Sequence, residues 1–163
     1  MKIDCPSTII SGSQVGFIGE APGADEVTQR RGFVGRSGQV LQKAVLRGNL
    51  KWDECSLFNV VKERPVGNDI STISEEALSE YVEYLGAELA AAKLVLGFAV
   101  GETALHALTG KSGITKWRGS LLDSTLVPGL KVIPLVHPAW VLRGQFLYFW
   151  VTVFDVSKGA REL

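Results

Sequence analysis

Cysteine is scarce in this chain: Cys5 and Cys55 are the only two among 163 residues. They show no metal-ligand spacing, and two cysteines alone argue for no disulfide framework. A reduced, intracellular chain is the simpler expectation. An excess of one charge sign is lacking too. Seventeen basic residues balance 17 acidic ones, which leaves no global electrostatic footprint for a polyanion and speaks against a non-specific packager of nucleic acid. Long apolar runs are missing: the longest, Phe146 to Phe154, is interrupted by Thr152 and falls far short of the roughly 20 residues a membrane helix needs. No apolar h-region follows the N-terminus, so no secretory signal is expected. No repeat, linker or low-complexity tract divides the chain. A hydrophobic content of 46% at this length fits one domain over 1–163 with a sizeable core.

Against these absences stands one dense stretch, Gln14 to Gln39, reading QVGFIGEAPGADEVTQRRGFVGRSGQ. It opens with Val15-Gly16-Phe17-Ile18, an apolar run that suits a buried strand. The chain then turns through Gly19-Glu20-Ala21-Pro22-Gly23. Glycines let a backbone come close to a ligand, and proline fixes the local path. A carboxylate on such a strand-to-loop turn lies where open α/β sheets collect their chemistry. A second glycine-rich turn, Gly32 to Gly38, carries Phe33, and Val40, Leu41, Ala44 and Val45 behind it predict a helix from about Ser37 to Arg47.

The rest of the chain alternates. Met1 to Ser13 reads as a polar lead-in. Ser56 to Val61 predicts a strand, and Lys62 to Asn68 a loop broken by Pro65 and Gly67. Ser74 caps a helix with Glu75 and Glu76 in its first turn, and Tyr81, Leu85, Leu89 and Ala92 form its apolar face. A strand over Lys93–Phe98 and a helix over Gly101–Leu108 follow. Thr115 to Gly119 leads into a hairpin turning near Pro128-Gly129. The returning strand, Lys131 to Val136, ends in His137-Pro138-Ala139-Trp140-Val141-Leu142-Arg143, and Phe149 to Leu163 predicts a helix packed on the sheet. Strands alternating with helices imply an α/β fold with a mostly parallel sheet covered on both faces.

Three polar side chains, Glu20, Asn59 and His137, stand at the carboxyl ends of three predicted strands. Each alone has an ordinary explanation as a helix cap, a strand-end partner or a stop before proline; together they mark a site. The first stretch resembles the first motif of the uracil-DNA glycosylase superfamily, in particular its thermostable-type (family 4) branch. That pattern runs GEAPG, an acid three positions on, then PFVGRSGQ, and Gly19–Gly23, Glu26 and Phe33–Gln39 match its spacing without a gap. Phe58-Asn59-Val60-Val61-Lys62 with Arg64-Pro65 is similar to the family's NVVKCRP segment. Thr115–Gly119 is similar to its approach to the last strands, and His137–Arg143 to its second motif. The resemblance covers nearly the whole chain. It implies a three-layer αβα sandwich around a central, mostly parallel four-stranded sheet. It also implies an enzyme that flips uracil out of DNA and hydrolyses its N-glycosidic bond, leaving an abasic site.

The roles that the resemblance implies are specific. Glu20 would orient or activate the water and steady the sugar cation, while His137 would donate a hydrogen bond to uracil O2 as charge develops on the leaving base. The Asn59 amide would pair with O4 and N3–H, a pattern cytosine does not offer. Phe33 would stack on the flipped base, a contact worth about 1–3 kcal/mol. The backbone at Gly19, Ala21 and Gly23 would touch the base, and Glu26 would crowd its C5 side against a thymine methyl. Arg36, Ser37 and Gly38 at a helix N-terminus would hold a phosphate. Leu142 would wedge into the vacated stack and Arg143 contact a phosphate, with Lys62 and Arg118 as further basic contacts to DNA. The implied partner is uracil-containing DNA, single- or double-stranded, bound by a monomer that is cytoplasmic or nucleoid-associated, with no membrane, metal or other cofactor.

Departures from the pattern carry expectations of their own. The branch usually holds a four-cysteine iron–sulfur cluster, but here the cysteine of the NVVKCRP segment is Glu63 and the N-terminal part looks shortened. Two cysteines cannot hold that cluster in one chain, so the loss is expected to fall on stability and DNA contacts. Arg30 in place of glycine predicts stronger phosphate binding, and Gly32 in place of proline a looser Phe33 loop. No loop with a nucleophilic histidine follows Asn59, so no covalent adduct is expected. The rival reading is a protein on the same fold that binds uracil or abasic DNA without turnover. A third, chemistry on free nucleosides, leaves the basic residues and Leu142 without purpose.

Overall fold

A computed structural model describes residues 1–163. The apolar run after Gln14 forms β1 (Val15–Gly19), buried at every position. It leads through α1 (Ala24–Gln29) and α2 (Arg36–Arg47) to β2 (Ser56–Asn59), also wholly buried. Then come α3 (Glu75–Ala92), β3 (Leu96–Val100), α4 (Glu102–Thr109) and α5 (Ile114–Trp117). After them follow β4 (Leu122–Asp123), β5 (Lys131–Leu135), α6 (Ala139–Leu142) and α7 (Leu147–Ala160). The sheet runs β2-β1-β3-β5-β4. β2, β1, β3 and β5 run parallel, and β4 pairs antiparallel with the first two residues of β5. The four expected strands are therefore present, and the hairpin foreseen near Pro128-Gly129 adds a two-residue fifth at the edge.

Alternation along the strands explains the three layers. Ile18, Phe58, Ala99 and Val132 face one side, where Tyr81, Leu85 and Leu89 of α3 and Ala104, Leu105 and Leu108 of α4 cover them. Phe17, Leu57, Phe98 and Ile133 face the other, under Leu41 and Val45 of α2 and Val156 of α7. Side chains of a strand point alternately to opposite faces, so continuous apolar runs are what a sheet covered on both sides requires. On the second face Phe17 stacks on Phe98 with centroids 4.9 Å apart. Gly48 lets α2 end against α7, since a Cβ there would stand 2.6 Å from Val156.

Several boundaries differ from expectation for local reasons. Lys93 takes a left-handed conformation (φ 53°) that closes α3, so β3 begins at Leu96, three residues later than the expected start at Lys93. α1, α5 and α6 are one or two turns long, too short to show a helical period. Met1–Ser13 is more than a lead-in. Thr8 exchanges backbone hydrogen bonds of 2.9 and 2.8 Å with Leu57, and the Asp4 and Cys5 N–H groups donate to Lys62 O at 3.0 and 3.1 Å. This segment covers the outer edge of β2, and an uncovered strand edge is a template for aggregation. No helix is long and apolar enough to cross a membrane.

Candidate active site

Strand register sets the site. Gly19 and Asn59 are partners at the ends of β1 and β2. Just beyond, Val60 N–H donates to Gly19 O at 2.8 Å and Val61 N–H to Glu20 O at 2.9 Å, which sets Glu20 beside Asn59. His137 follows β5, across β3, and Gly101, which caps the intervening α4, donates its N–H to Leu135 O at 2.9 Å. Every residue expected to catalyse or to touch the base lines one cavity of about 420 Å³: Gly19, Glu20, Ala21, Gly23, Glu26, Phe33, Asn59 and His137.

Glycine is required at position 19. A Cβ there would stand 2.6 Å from Asn59 Oδ1 and 3.0 Å from the Phe33 ring. Asn59 is only 7% exposed, and its amide, with no partner within the chain, opens on the cavity. Phe33 holds a left-handed backbone (φ 59°), uncommon for a bulky residue. Three contacts keep it there. Gln42 Nε2 donates to Phe33 O at 2.8 Å. The ring meets Trp52 edge-on at 5.9 Å. The Phe33 carbonyl also lies so close to Gly38 that no Cβ fits between them. The loop is thus held firmly despite Gly32, which is itself buried. Glu26 braces the two glycine turns against each other: its carboxyl accepts from Gly23 N–H at 3.0 Å, Val34 N–H at 2.9 Å and Gly35 N–H.

The two catalytic candidates are oriented by neighbours. Thr103, in the first turn of α4, donates its hydroxyl to Glu20 Oε2. His137 Nδ1 accepts from Ala139 N–H at 3.0 Å, so in the neutral ring the proton sits on Nε2, which has no partner within the chain. Burial pushes the His137 pKa below its ordinary 6.5; the nearby Glu20 charge opposes this and Arg143 adds to it. The site therefore offers a carboxyl, an amide and a neutral N–H donor on one cavity.

Residues 7–154 match the family model for the uracil DNA glycosylase superfamily. The chain belongs to the uracil-DNA glycosylase superfamily. Its relatives include the type-4 uracil-DNA glycosylase of Thermotoga maritima, 33% identical over 82% of this chain and 68% of that protein. The type-4 uracil-DNA glycosylase of Pyrobaculum aerophilum is 32% identical over 78% of this chain and 67% of its own length. That of Archaeoglobus fulgidus is 28% identical over 80% and 67%.

In this superfamily member the residues expected at DNA divide into two groups. Ser37, Gly38 and Arg143 line the cavity. Arg36 is exposed at the start of α2, and Leu142 is 42% exposed at the end of α6. Lys62 does not fit its expected role. It is 1% exposed, its ammonium donates to Asn59 O, and Glu88 Oε1 lies 2.9 Å away; burial lowers its pKa against the pull of Glu88. Arg118 is also engaged elsewhere, donating through Nε and Nη2 to the fully buried Asp155 of α7 at 2.8 Å each. Arg30 does not line the cavity; its Nη1 donates to Asp4 O at 3.4 Å.

Sequence reasoning missed Thr103 and gave no role to Trp140, Pro65 and Asn68, which also line the cavity. Trp140 had a signal, three positions after His137, and it packs edge-on against Tyr148 at 5.1 Å. Thr103 had none, being 83 positions from Glu20.

The iron–sulfur cluster usual in the family 4 branch does not fit these residues, in line with the chain's two cysteines. Cys55 precedes β2 and Cys5 lies against Lys62 beyond its far end, both buried, and no group of three or more His, Cys, Asp or Glu is gathered to hold a metal. Polar contacts occupy the region instead. The Tyr81 hydroxyl lies 2.9 Å from Glu63 Oε1 and 2.7 Å from Lys2 O, and Asp4 Oδ2 accepts from Arg64 N–H at 3.0 Å. Burial, then Glu63, pushes the Tyr81 pKa up to about 12, which keeps its hydroxyl protonated as a donor.

Proposed function

We propose that this chain is a monofunctional uracil-DNA glycosylase acting on a uracil nucleotide flipped out of DNA. The observation that carries the reading is the convergence of Glu20, Asn59 and His137 on one cavity, with the His137 proton fixed on Nε2. A duplex hides the reacting bond, so the nucleotide must leave the stack. Phe33 gives the base a face, and the Asn59 amide gives O4 an N–H and N3–H an acceptor. As the C1′–N1 bond breaks, its electron pair moves onto the base, and His137 Nε2–H meets the charge at O2. A donor of this kind is worth about 10²–10³ in rate. Water bonds to C1′ and gives its proton to Glu20, which Thr103 holds. A positioned base contributes about 10²–10⁴. Glu26 spends its carboxyl on backbone N–H groups, so its part is to build the wall that excludes a C5 methyl. Arg36, Ser37, Gly38, Leu142 and Arg143 form the DNA-facing rim.

The test is release of uracil from labelled oligonucleotides with a single uracil, single- and double-stranded, read as alkali-labile abasic sites. Wild type should cleave, and Glu20→Ala and His137→Ala should each lose at least about a hundredfold while still binding the DNA. Uracil-dependent retention of DNA without release would replace the enzyme by a damage-binding protein.

A further inference from the structure

The neutral net charge conceals a separation. On one face of the sheet α3 carries Glu75, Glu76, Glu80, Glu83 and Glu88 and no basic residue. On the other, α2, α7 and the turns after α6 and α7 carry Arg36, Lys43, Arg47, Arg143, Lys158 and Arg161, none of them in an ion pair. The acids there are few: Asp155 is buried against Arg118, Glu162 lies past α7, and Asp53 and Glu54 border Lys43, Glu54 being 3.8 Å from Lys51.

Along this basic face runs an aromatic stripe. Phe146, Trp150 and Phe154 are 71%, 55% and 57% exposed. Their spacing of four puts them on one side of α7, about 6 Å apart along the axis. Cations stand over two of the rings: Arg47 lies 5.7 Å from the Trp150 centroid and Lys158 5.8 Å from that of Phe154. The stripe begins just past Leu142 and Arg143 on the rim of the cavity. Such rings cost free energy in water unless something covers them.

We propose that this stripe is a track for single-stranded nucleic acid, on which successive bases stack while Arg47, Lys43 and Lys158 meet the phosphates. Exposed aromatics interleaved with unpaired cations are what sequence-independent single-strand binding uses. A second copy is a poorer occupant, because a two-fold contact would set Arg47 and Lys158 against like charges. The track rests on the glycosylase reading only for its purpose, which is to hold the strand beside the lesion while the cavity takes the base.

The test is fluorescence anisotropy with a uracil-free oligothymidylate of about 16 nucleotides, a length within the usual range of such sites. Trp150→Ala with Phe154→Ala should weaken binding about tenfold per ring removed, and Trp150→Phe should retain most of it. Because both rings are exposed, the melting temperature should not move. Uracil release from an oligonucleotide of about four nucleotides, too short to reach the track, should be unchanged. Unchanged binding of the long strand by the double variant would overturn the track. So would concentration-dependent dimers, or binding to anionic vesicles in place of single strands, lost in the same variant. If the wild type releases no uracil but the double variant loses the strand, the track stands and the glycosylase reading falls. If uracil release is normal and strand binding is unaltered, the glycosylase reading stands and the track falls.

Discussion

At the scale of single residues, the site depends on small groups that make room and on neighbours that orient. Thr103 touches no reacting atom; it acts through Glu20, whose Oε2 accepts its hydroxyl proton. Thr103→Val keeps the shape and removes the donor. Single-turnover uracil release should slow by about tenfold to a hundredfold, the scale of a misplaced catalytic group, with KM little changed and Thr103→Ser restoring the rate. Gly19→Ala should be more severe than its size suggests, since the new methyl would stand 2.6 Å from Asn59 Oδ1. His137 carries a pH dependence. Burial lowers its pKa from 6.5 in the folded chain, so below that value the unfolded chain binds more protons than the folded one. Stability should therefore be full above pH 6.5 and decline as pH falls toward the folded-state pKa. An NMR titration should place the His137 midpoint below 6.5, and urea midpoints of a His137→Asn variant should lack this component.

At the scale of elements, two basic residues that read alike in sequence do different work. Arg118 joins the end of α5 to α7 through both oxygens of a buried Asp155. Arg118→Ala strands that carboxyl, and removal of one partner from such a pair costs about 3 kcal/mol or more. Chemical denaturation should show this loss, and DNA affinity measured well below the melting temperature should be kept. Arg143, exposed on the cavity rim, should behave in the opposite way. Arg143→Ala should leave stability within about 0.5 kcal/mol, weaken DNA binding and reduce the salt slope by about one contact. Lys62 sides with Arg118: its ammonium ties Asn59 O to Glu88 of α3, so it secures the strand that presents Asn59. The N-terminal segment belongs here as well. Its bonds to Leu57, Lys62 and Arg64 close the sheet edge in a region where no metal-binding group is assembled.

At the scale of the whole molecule, charge balance and charge placement lead to different expectations. With 17 charges of each sign, a uniform distribution would give DNA binding almost indifferent to salt. Five glutamates on α3 and six unpaired bases on and beside α2, α6 and α7 predict a falling affinity. For single strands the slope of log K against log salt is about −0.7 per phosphate neutralised, so two or three contacts should give a slope of about −1.5 to −2.

Local and periodic features were legible from the order of residues alone. Continuous apolar runs marked the four parallel strands, and spacing by three and four marked α2 and α3. The Ser74 cap was legible because its bond to Ala77 N–H spans three residues. Glu20, Asn59 and His137 were legible because each stands at or just past the carboxyl end of a strand, and parallel strands deliver their ends to one edge whatever the rest of the chain does. Contacts between residues far apart in the chain emerged only with the folded packing. Lys62 and Arg118 gave the same signal as Arg143, a basic residue in a motif. Only packing against Glu88 and Asp155 drew their charges inward, because a buried carboxyl must find its partner wherever the fold brings one. Thr103 and Glu20, and the loop at Phe33 pinned by Gln42, Trp52 and Gly38, belong to the same class. A hydrogen bond is set by a few ångströms in space, and nothing in the order of residues records which distant donor will arrive there.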